Sequence, residues 1–127
     1  MLASAKLMAF VGTTNADRAR AFYHGVLGLT LVSEDGHGMM FESNGTPLRV
    51  AIAKELTPAK YTVFGWQVKD IRASVASLKK AGVTFELYSF LKQDELSIWT
   101  SPNGDQVAWF KDPDGNTLSV SQHVAHA

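Results

Sequence analysis

The amino-acid sequence carries one plan twice. In the first half, an apolar segment leads to Asn15 and then to a helix-like stretch that ends at Gly28. In the second half, an apolar segment leads to Asp70 and then to a similar stretch that ends at Gly82. The two spacings are thirteen and twelve positions, counted from the same sequence. Such self-similarity predicts two copies of one structural module.

Periodicity predicts the elements of each half. Side chains that alternate along the chain predict strands, and apolar residues at helical spacing predict one helix per half. The side-chain oxygens of Asn15 and Asp70 suit the N-cap position of those helices. The chain is therefore predicted to be α+β. The predicted strands are residues 7–12, 30–34, 38–43 and 48–53, followed by 63–68, 84–88, 106–111 and 117–122, while residues 96–100 form a short strand or an ordered loop.

Composition limits the partners of the chain. At 127 residues it suits a single domain, 1–127, or two small halves with a shared core. Lys plus Arg and Asp plus Glu both number 12, so we expect neither nucleic acid nor an anionic membrane as a partner. The absence of cysteine excludes disulfides and thiolate metal sites, and it is compatible with the cytoplasmic location that we expect. No apolar run approaches the roughly 18 residues of a membrane span.

Three segments carry a resemblance to a known family. They are Ala21-Phe22-Tyr23 with Leu27-Gly28-Leu29, the run from Gly65 to Ile71, and the run from Trp109 to Asn116 with Leu118. Together they resemble the vicinal oxygen chelate superfamily, the glyoxalase, bleomycin-resistance and extradiol-dioxygenase group. The resemblance covers essentially the whole chain. It implies two βαβββ modules, residues 5–54 and 61–123, whose curved mixed sheets surround a shared cavity, and it implies a homodimer. Pairing of the modules within one chain or by exchange between two subunits stays open.

The resemblance also implies four metal-ligand positions. They map onto Met8, Val63, Ser119 and a fourth-strand position at Arg49 or Ala51. Divalent metals need several imidazole or carboxylate donors that converge on one point. A thioether, an isopropyl group and a single hydroxyl do not meet that need. We therefore expect no metal and no other cofactor at this site.

The former ligand positions indicate which side chains line the cavity, because alternate residues of a strand share one face. Arg49 is the inward cation in this prediction, able to hold a carboxylate or phosphate, or else a solvated residue or a dimer-interface ion pair. Trp99 is an aromatic wall for a flat ligand, or else a hydrophobic plug or dimer contact. Phe110 is expected in the core. The predicted ligand-binding residues are Met8, Phe10, Arg49, Val63, Gln67, Trp99, Trp109, Ser119, Ser121 and His123.

Other polar side chains have simpler interpretations. Asp112 and Asp114 flank a proline and precede a glycine, where aspartates commonly shape a turn. His123 can face the cavity mouth, with a carboxylate supplied by Glu42 or by the pair at positions 94 and 95. The remaining histidines, His24, His37 and His126, are expected in solvent.

Two classes of function remain open. In the first, the protein is a metal-free binding module that holds a mostly apolar or aromatic small molecule, as the bleomycin-resistance-like relatives hold drugs. In the second, it is a lyase, isomerase or dioxygenase, either metal-dependent or metal-free with His123 or Glu42 as general base. The apolar side chains of Met8 and Val63 at former ligand positions favour the first class. No catalytic residue is assigned at this point.

Overall fold

The computed structural model describes residues 1–125, so His126 lies outside the described residues. The chain divides into two units, Met1–Pro58 and Ala59–Ala127. Each unit has the element order βαβββ and one open four-stranded mixed sheet, which confirms the predicted α+β class. Within the described residues, no helix is long and apolar enough to cross a membrane.

The first unit begins with a strand and a helix. The helix α1, Ala16–Arg20, continues directly as a π-helix, Ala21–Val26. Its strands are β1 Ala9–Thr13, β2 Thr30–Asp35, β3 Gly38–Ser43 and β4 Thr46–Ile52. They lie in the order β1-β4-β3-β2, with β1 parallel to β4 and the other pairs antiparallel.

Local signals in the sequence set both ends of this helix. The Asn15 side chain accepts a hydrogen bond from the backbone N–H of Arg18 at 3.0 Å, the bond expected of an N-cap. Gly28 ends the element with a φ of 75°, which a residue with a side chain adopts only with strain. Tyr23 is almost fully buried and packs on Phe41 of β3 at a ring distance of 5.9 Å.

The second unit repeats the order with a longer helix. Helix α2, Ile71–Lys80, is capped by Asp70, which accepts the Ala73 N–H at 3.1 Å. Ile71 and Val75 are fully buried where α2 packs on the sheet. The strands are β5 Phe64–Gln67, β6 Trp99–Thr100, β7 Gln106–Lys111 and β8 Thr117–Gln122, in the order β5-β8-β7-β6.

Two tight turns agree with the sequence. Asn44 and Gly45 both have positive φ, 48° and 84°, as a type I′ hairpin turn requires. Between β7 and β8, Asp112 is buried and its carboxylate accepts the backbone N–H groups of Asp114 and Asn116. It also accepts the Asn116 amide at 2.8 Å, so Asp112 shapes this turn as predicted.

The predicted strand at 84–88 is wrong, and β1 is shorter than predicted. Phe85 makes a single bridge to Phe110. The Gln93 side chain donates to the carbonyls of Glu86 and Ser97 and accepts the Tyr88 N–H, so it takes backbone groups that a strand would pair. The segment 96–100 contributes only Trp99–Thr100 as a strand. In the first unit the strand begins at Ala9, after an exposed Leu7.

A close approach between β5 and β8 generates a stability prediction. A Cβ atom at Gly65 would overlap the Ser119 hydroxyl and lie 2.6 Å from the Ser119 carbonyl oxygen. Because a backbone atom in a sheet cannot move aside cheaply, we expect Gly65→Ala to lower the free energy of unfolding by about 1–3 kcal/mol in urea denaturation.

Gly25→Ala is the matched control for this substitution. Nothing lies within 4 Å of a Cβ at Gly25, which lies in the π-helix. Alanine also favours helix, so stability should stay the same or rise by up to about 1 kcal/mol. Wild-type stability of Gly65→Ala would contradict the close approach of the two strands.

Candidate functional site

Each sheet has one face covered by its own helix and one face turned away from it, here called the distal face. On β8, Leu118 and Val120 are buried, whereas the alternating Ser119 and Ser121 are half-buried. On β7, Phe110 is fully buried in the core, as predicted, and Trp109 therefore points to the distal face.

Strand register places the predicted site residues of the second unit in two rows. In the first row, Ser119 pairs with Gly65 on one side and with Trp109 on the other. In the second row, Ser121 lies between Gln67 and Val107, and Val107 pairs with Trp99 of β6. Directly opposed side chains have Cβ atoms about 5 Å apart, so one small ligand can contact several of them.

Aromatic rings form a cluster on this face. The Trp109 ring centre lies 6.2 Å from that of Trp99 and 5.6 Å from that of Tyr88, which in turn lies 5.6 Å from that of Phe90. Trp109 is held in place because its indole N–H donates to the Thr62 hydroxyl at 3.1 Å. Burial, and then the charge of a nearby glutamate, raises the pKa of Tyr88, so its phenol stays neutral. Tyr88 was missed in the sequence because its segment was assigned to a strand.

Beside Trp99 is a cleft of about 300 Å³. This volume is at the lower end of small-molecule sites. The Arg72 guanidinium pairs with Asp94 at 3.1 Å and also with Glu95, so these carboxylates are not the partners of His123 that the sequence suggested. The cleft is lined by Lys92, Gln93, Asp94, Ile98, Trp99 and Thr100.

His123 has a different carboxylate partner. Its Nδ1 lies 3.1 Å from Asp105 Oδ2, and its Nε2 lies 3.0 Å from Ser121 Oγ. The other predicted partner, Glu42, accepts the Gly45 N–H in the β3–β4 turn. Asp105 was missed because it approaches His123 only through the pairing of β7 with β8; its position directly after an Asn-Gly turn was the available signal.

The first unit places an aromatic and a cationic residue in one row of its own distal face. Phe10 on β1 pairs with Arg49 on β4, which pairs with Met40 on β3. The guanidinium of Arg49 lies 3.7 Å from the carboxylate of Asp35 in the same sheet. Hydrogen bonding from the His37 N–H, with the charge of Arg49, lowers the pKa of Asp35, so this pair is charged at neutral pH.

The positions that correspond to metal ligands do not offer a suitable donor set. Met8 precedes β1 and is partly exposed, while Val63 precedes β5 and uses its backbone N–H to bond the Thr117 carbonyl at 2.9 Å. Arg49, Ala51 and Ser119 supply no imidazole or carboxylate. Across residues 1–125, no group of three or more His, Cys, Asp or Glu side chains could hold a metal ion.

Comparisons with known proteins agree with this architecture. The family model described as "Glyoxalase/Bleomycin resistance protein/Dioxygenase superfamily" matches residues 7–120. A superfamily member from Sphaerobacter thermophilus is similar in structure, with a TM-score of 0.75 and 22% identity, over 97% of this chain and 100% of that one. A protein named glyoxalase/bleomycin resistance protein/dioxygenase from Alicyclobacillus acidocaldarius has a TM-score of 0.72 and 16% identity, over 96% and 93%.

A third similar structure has a more specific name. It is a lactoylglutathione lyase from Agrobacterium tumefaciens, with a TM-score of 0.70 and 21% identity, over 94% of this chain and 93% of that one. At such identities the likeness shows the fold alone. No curated protein sequence matches the chain.

The environment of Asp105 generates a prediction about acid stability. A hydrogen bond from the Val124 N–H, followed by the contact with His123, lowers the pKa of Asp105 in the folded chain. Such a carboxylate stabilises the fold above its unfolded-state pKa of about 3.9 and loses that contribution as the pH falls through its folded-state pKa. The Tm gap between wild type and Asp105→Asn should therefore be largest near neutral pH and shrink as the pH falls below about 3.9.

Thermal melts followed by circular dichroism measure this gap. Glu55→Gln, at an exposed position after β4, is the control and should show no pH-dependent gap. A gap for Asp105→Asn that stays constant from neutral pH to strong acid would contradict a charge-dependent role for Asp105.

Proposed function

The chain belongs to the glyoxalase/bleomycin resistance protein/dioxygenase superfamily, and from that premise we propose that it is a metal-free small-molecule-binding protein. Its ligand carries a flat apolar or aromatic group that rests on the distal face of the second sheet. The observation that carries this proposal is the half-buried pair Trp99 and Trp109, held 6.2 Å apart at an interplanar angle of 35°.

The surroundings of the two indoles support a flat ligand with a small polar group. Stacked or edge-on contact with an indole favours aromatic ligands over flexible chains. The hydroxyl of Ser119 lies in register with Trp109, and the neutral phenol of Tyr88 meets Trp109 edge-on. Gln67, exposed on β5, adds an amide that both donates and accepts hydrogen bonds.

A second part of the proposal concerns Arg49. Its side chain is 23% exposed, and the 3.7 Å between its guanidinium and the Asp35 carboxylate is long for a hydrogen bond. A guanidinium has five N–H donors, so a ligand carboxylate or phosphate can bind while Asp35 keeps its contact. We propose that Phe10 and Arg49, in one row of the distal face of the first unit, contact an anionic ligand, and that the protein acts as a homodimer.

An enzymatic role is the alternative. A metal-dependent lyase, isomerase or dioxygenase needs donors that Met8, Val63 and Ser119 do not supply. A metal-free enzyme needs a general base. His123, which is hydrogen-bonded to Asp105, fits that role.

Isothermal titration calorimetry with 2-naphthol and 2-naphthoate tests the binding proposal. Trp99→Ala and Trp109→Ala should each weaken both ligands by about 1 kcal/mol, or roughly fivefold in Kd, because each removes a stacking surface. Arg49→Ala should weaken only 2-naphthoate, because only that ligand carries a carboxylate.

Trp66→Phe is the matched control for the tryptophan variants. Trp66 lies on the helix side of β5 and stacks on Phe110 at 6.3 Å, so this change should leave both affinities unaltered. Thermal melts establish that every variant is folded. If wild type, Trp99→Ala and Trp109→Ala bind with equal affinity, the distal face of the second sheet is not the binding site. If Arg49→Ala binds 2-naphthoate with unchanged affinity, Arg49 does not contact the ligand.

A further inference from the structure

Three polar side chains on the second unit form a hydrogen-bonded chain that ligand binding alone does not need. Ser121 Oγ lies 3.0 Å from His123 Nε2, and His123 Nδ1 lies 3.1 Å from Asp105 Oδ2. A carboxylate can only accept hydrogen bonds, so Nδ1 must carry a hydrogen. In the neutral ring Nε2 is then a lone-pair acceptor, and it takes the hydrogen bond that the Ser121 hydroxyl donates.

The carboxylate at the end of this chain is firmly placed. Asp105 Oδ1 accepts the Val124 N–H at 2.9 Å, and Oδ2 also receives the Asn103 amide at 3.4 Å. These contacts and His123 lower its pKa, so it is negative at neutral pH. The Asp105 side chain is 18% exposed and that of His123 is 43% exposed. The base is therefore oriented, and solvent water can still reach it.

The neighbours of Ser121 provide the other parts of an acyl-transfer site. Gln67 is its register partner on β5, which puts a side-chain amide donor beside the hydroxyl. On the opposite side are Val107 and then Trp99, an apolar surface in the same row. A donor beside the attacked carbonyl and an apolar support for the remainder of the molecule suit a small aromatic ester.

We propose that Ser121, His123 and Asp105 act as nucleophile, general base and positioning carboxylate in a metal-free esterase activity toward small aryl esters. The inference rests on the proposed function in one respect, namely that the aryl group lies on the aromatic cluster of the distal face. It adds a covalent step that a binding protein does not have.

The reaction balances without any added co-reactant. Ser121 Oγ attacks the ester carbonyl carbon, and its proton passes to His123 Nε2 while the Gln67 amide donates to the developing oxyanion. The C–O bond to the aryl oxygen then breaks, and His123 returns the proton to that leaving group. Water, deprotonated by His123, attacks the acyl-serine; the bond to Ser121 Oγ then breaks, His123 returns the proton to that oxygen, and the carboxylic acid leaves. Asp105 stays ionised and holds the ring throughout.

Covalent labelling with phenylmethylsulfonyl fluoride tests the nucleophile directly. The serine oxygen displaces fluoride from sulfur, and peptide mass mapping should place one sulfonyl group on Ser121. Ser121→Ala should abolish the label, and His123→Ala should slow labelling roughly 10²-fold or more. Ser77→Ala, at an exposed position on α2, is the matched control and should label like the wild type. Absence of label on Ser121 in the folded wild type would overturn the proposal.

Hydrolysis of p-nitrophenyl acetate separates positioning from structural support. Asp105→Asn should lower kcat while KM changes little, because the amide keeps an acceptor for the Val124 N–H but cannot accept from His123 Nδ1. Added imidazole should restore part of the activity of His123→Ala. Loss of activity in Asp105→Asn through a raised KM alone, or activity that survives in Ser121→Ala, would contradict the assignment.

Calorimetry with 2-naphthol keeps this test distinct from that of the proposed function. Wild-type protein should bind 2-naphthol with an affinity that depends on Trp99 and Trp109, and it should also take the label on Ser121. Binding without labelling would overturn the esterase inference alone. Labelling of Ser121 with no dependence of 2-naphthol affinity on Trp99 or Trp109 would support the nucleophile and overturn the shared aromatic surface.

Discussion

The burial of one face of each sheet under its own helix is the constraint on which the rest of the structure depends. In the second unit, Ile71 and Val75 of α2 are fully buried, as are Phe110 and Leu118 of the sheet, and α2 packs on β7 and β8. Each such side chain contributes on the order of 1.5–3 kcal/mol when it leaves water. A register slip of one residue would expose this whole set, so it is strongly disfavoured. The polar and aromatic residues at the alternate positions therefore lie together on the distal face.

That constraint also positions the side chains of the proposed binding surface. Ser119 is held in register with Trp109, and Ser121 with Gln67, by strand pairing alone. The close contact at Gly65 brings β5 against β8, so the rows of the distal face are continuous across the two strands. The superfamily resemblance implies metal ligands on this face. In this chain the face carries hydroxyl, amide and indole groups instead. Such groups bind organic molecules by stacking and hydrogen bonding, and with a histidine they can move a proton.

The fold was largely predictable because its signals are local. Asn15 and Asp70 begin the helices through bonds to residues three positions later, and Asn44 with Gly45 adopts the turn that its sequence favours. Alternation was sufficient to place Phe110 in the core and Trp109 on the other face. The segment 84–88 was not predictable in this way, because the side chain of Gln93 takes the Glu86 carbonyl and the Tyr88 N–H, and only Phe85 makes a bridge to the sheet. A side chain that bonds these backbone groups does not change the alternation of apolar and polar residues from which strands are predicted.

The arrangement of the candidate site was not predictable from the sequence. His123 was expected near a carboxylate, yet the sequence offered Glu42 and the 94–95 pair, while the structure supplies Asp105 across the β7–β8 pairing. Such a contact depends on the register of two strands and on the turn at 103–104, which no single segment encodes. The same limit applies to Tyr88, whose ring meets that of Trp109 edge-on from a segment outside the strands.

Native mass spectrometry of protein purified without chelator tests the central claim most directly. We predict a homodimer without a stoichiometric divalent metal, in which any retained mass is that of a small organic molecule. One tightly held divalent metal per chain, lost only on acidification or chelation, would contradict it. That result would mean that donors other than Met8, Val63 and Ser119 converge in the assembled protein, and the distal face would then have to be understood as part of a metal centre.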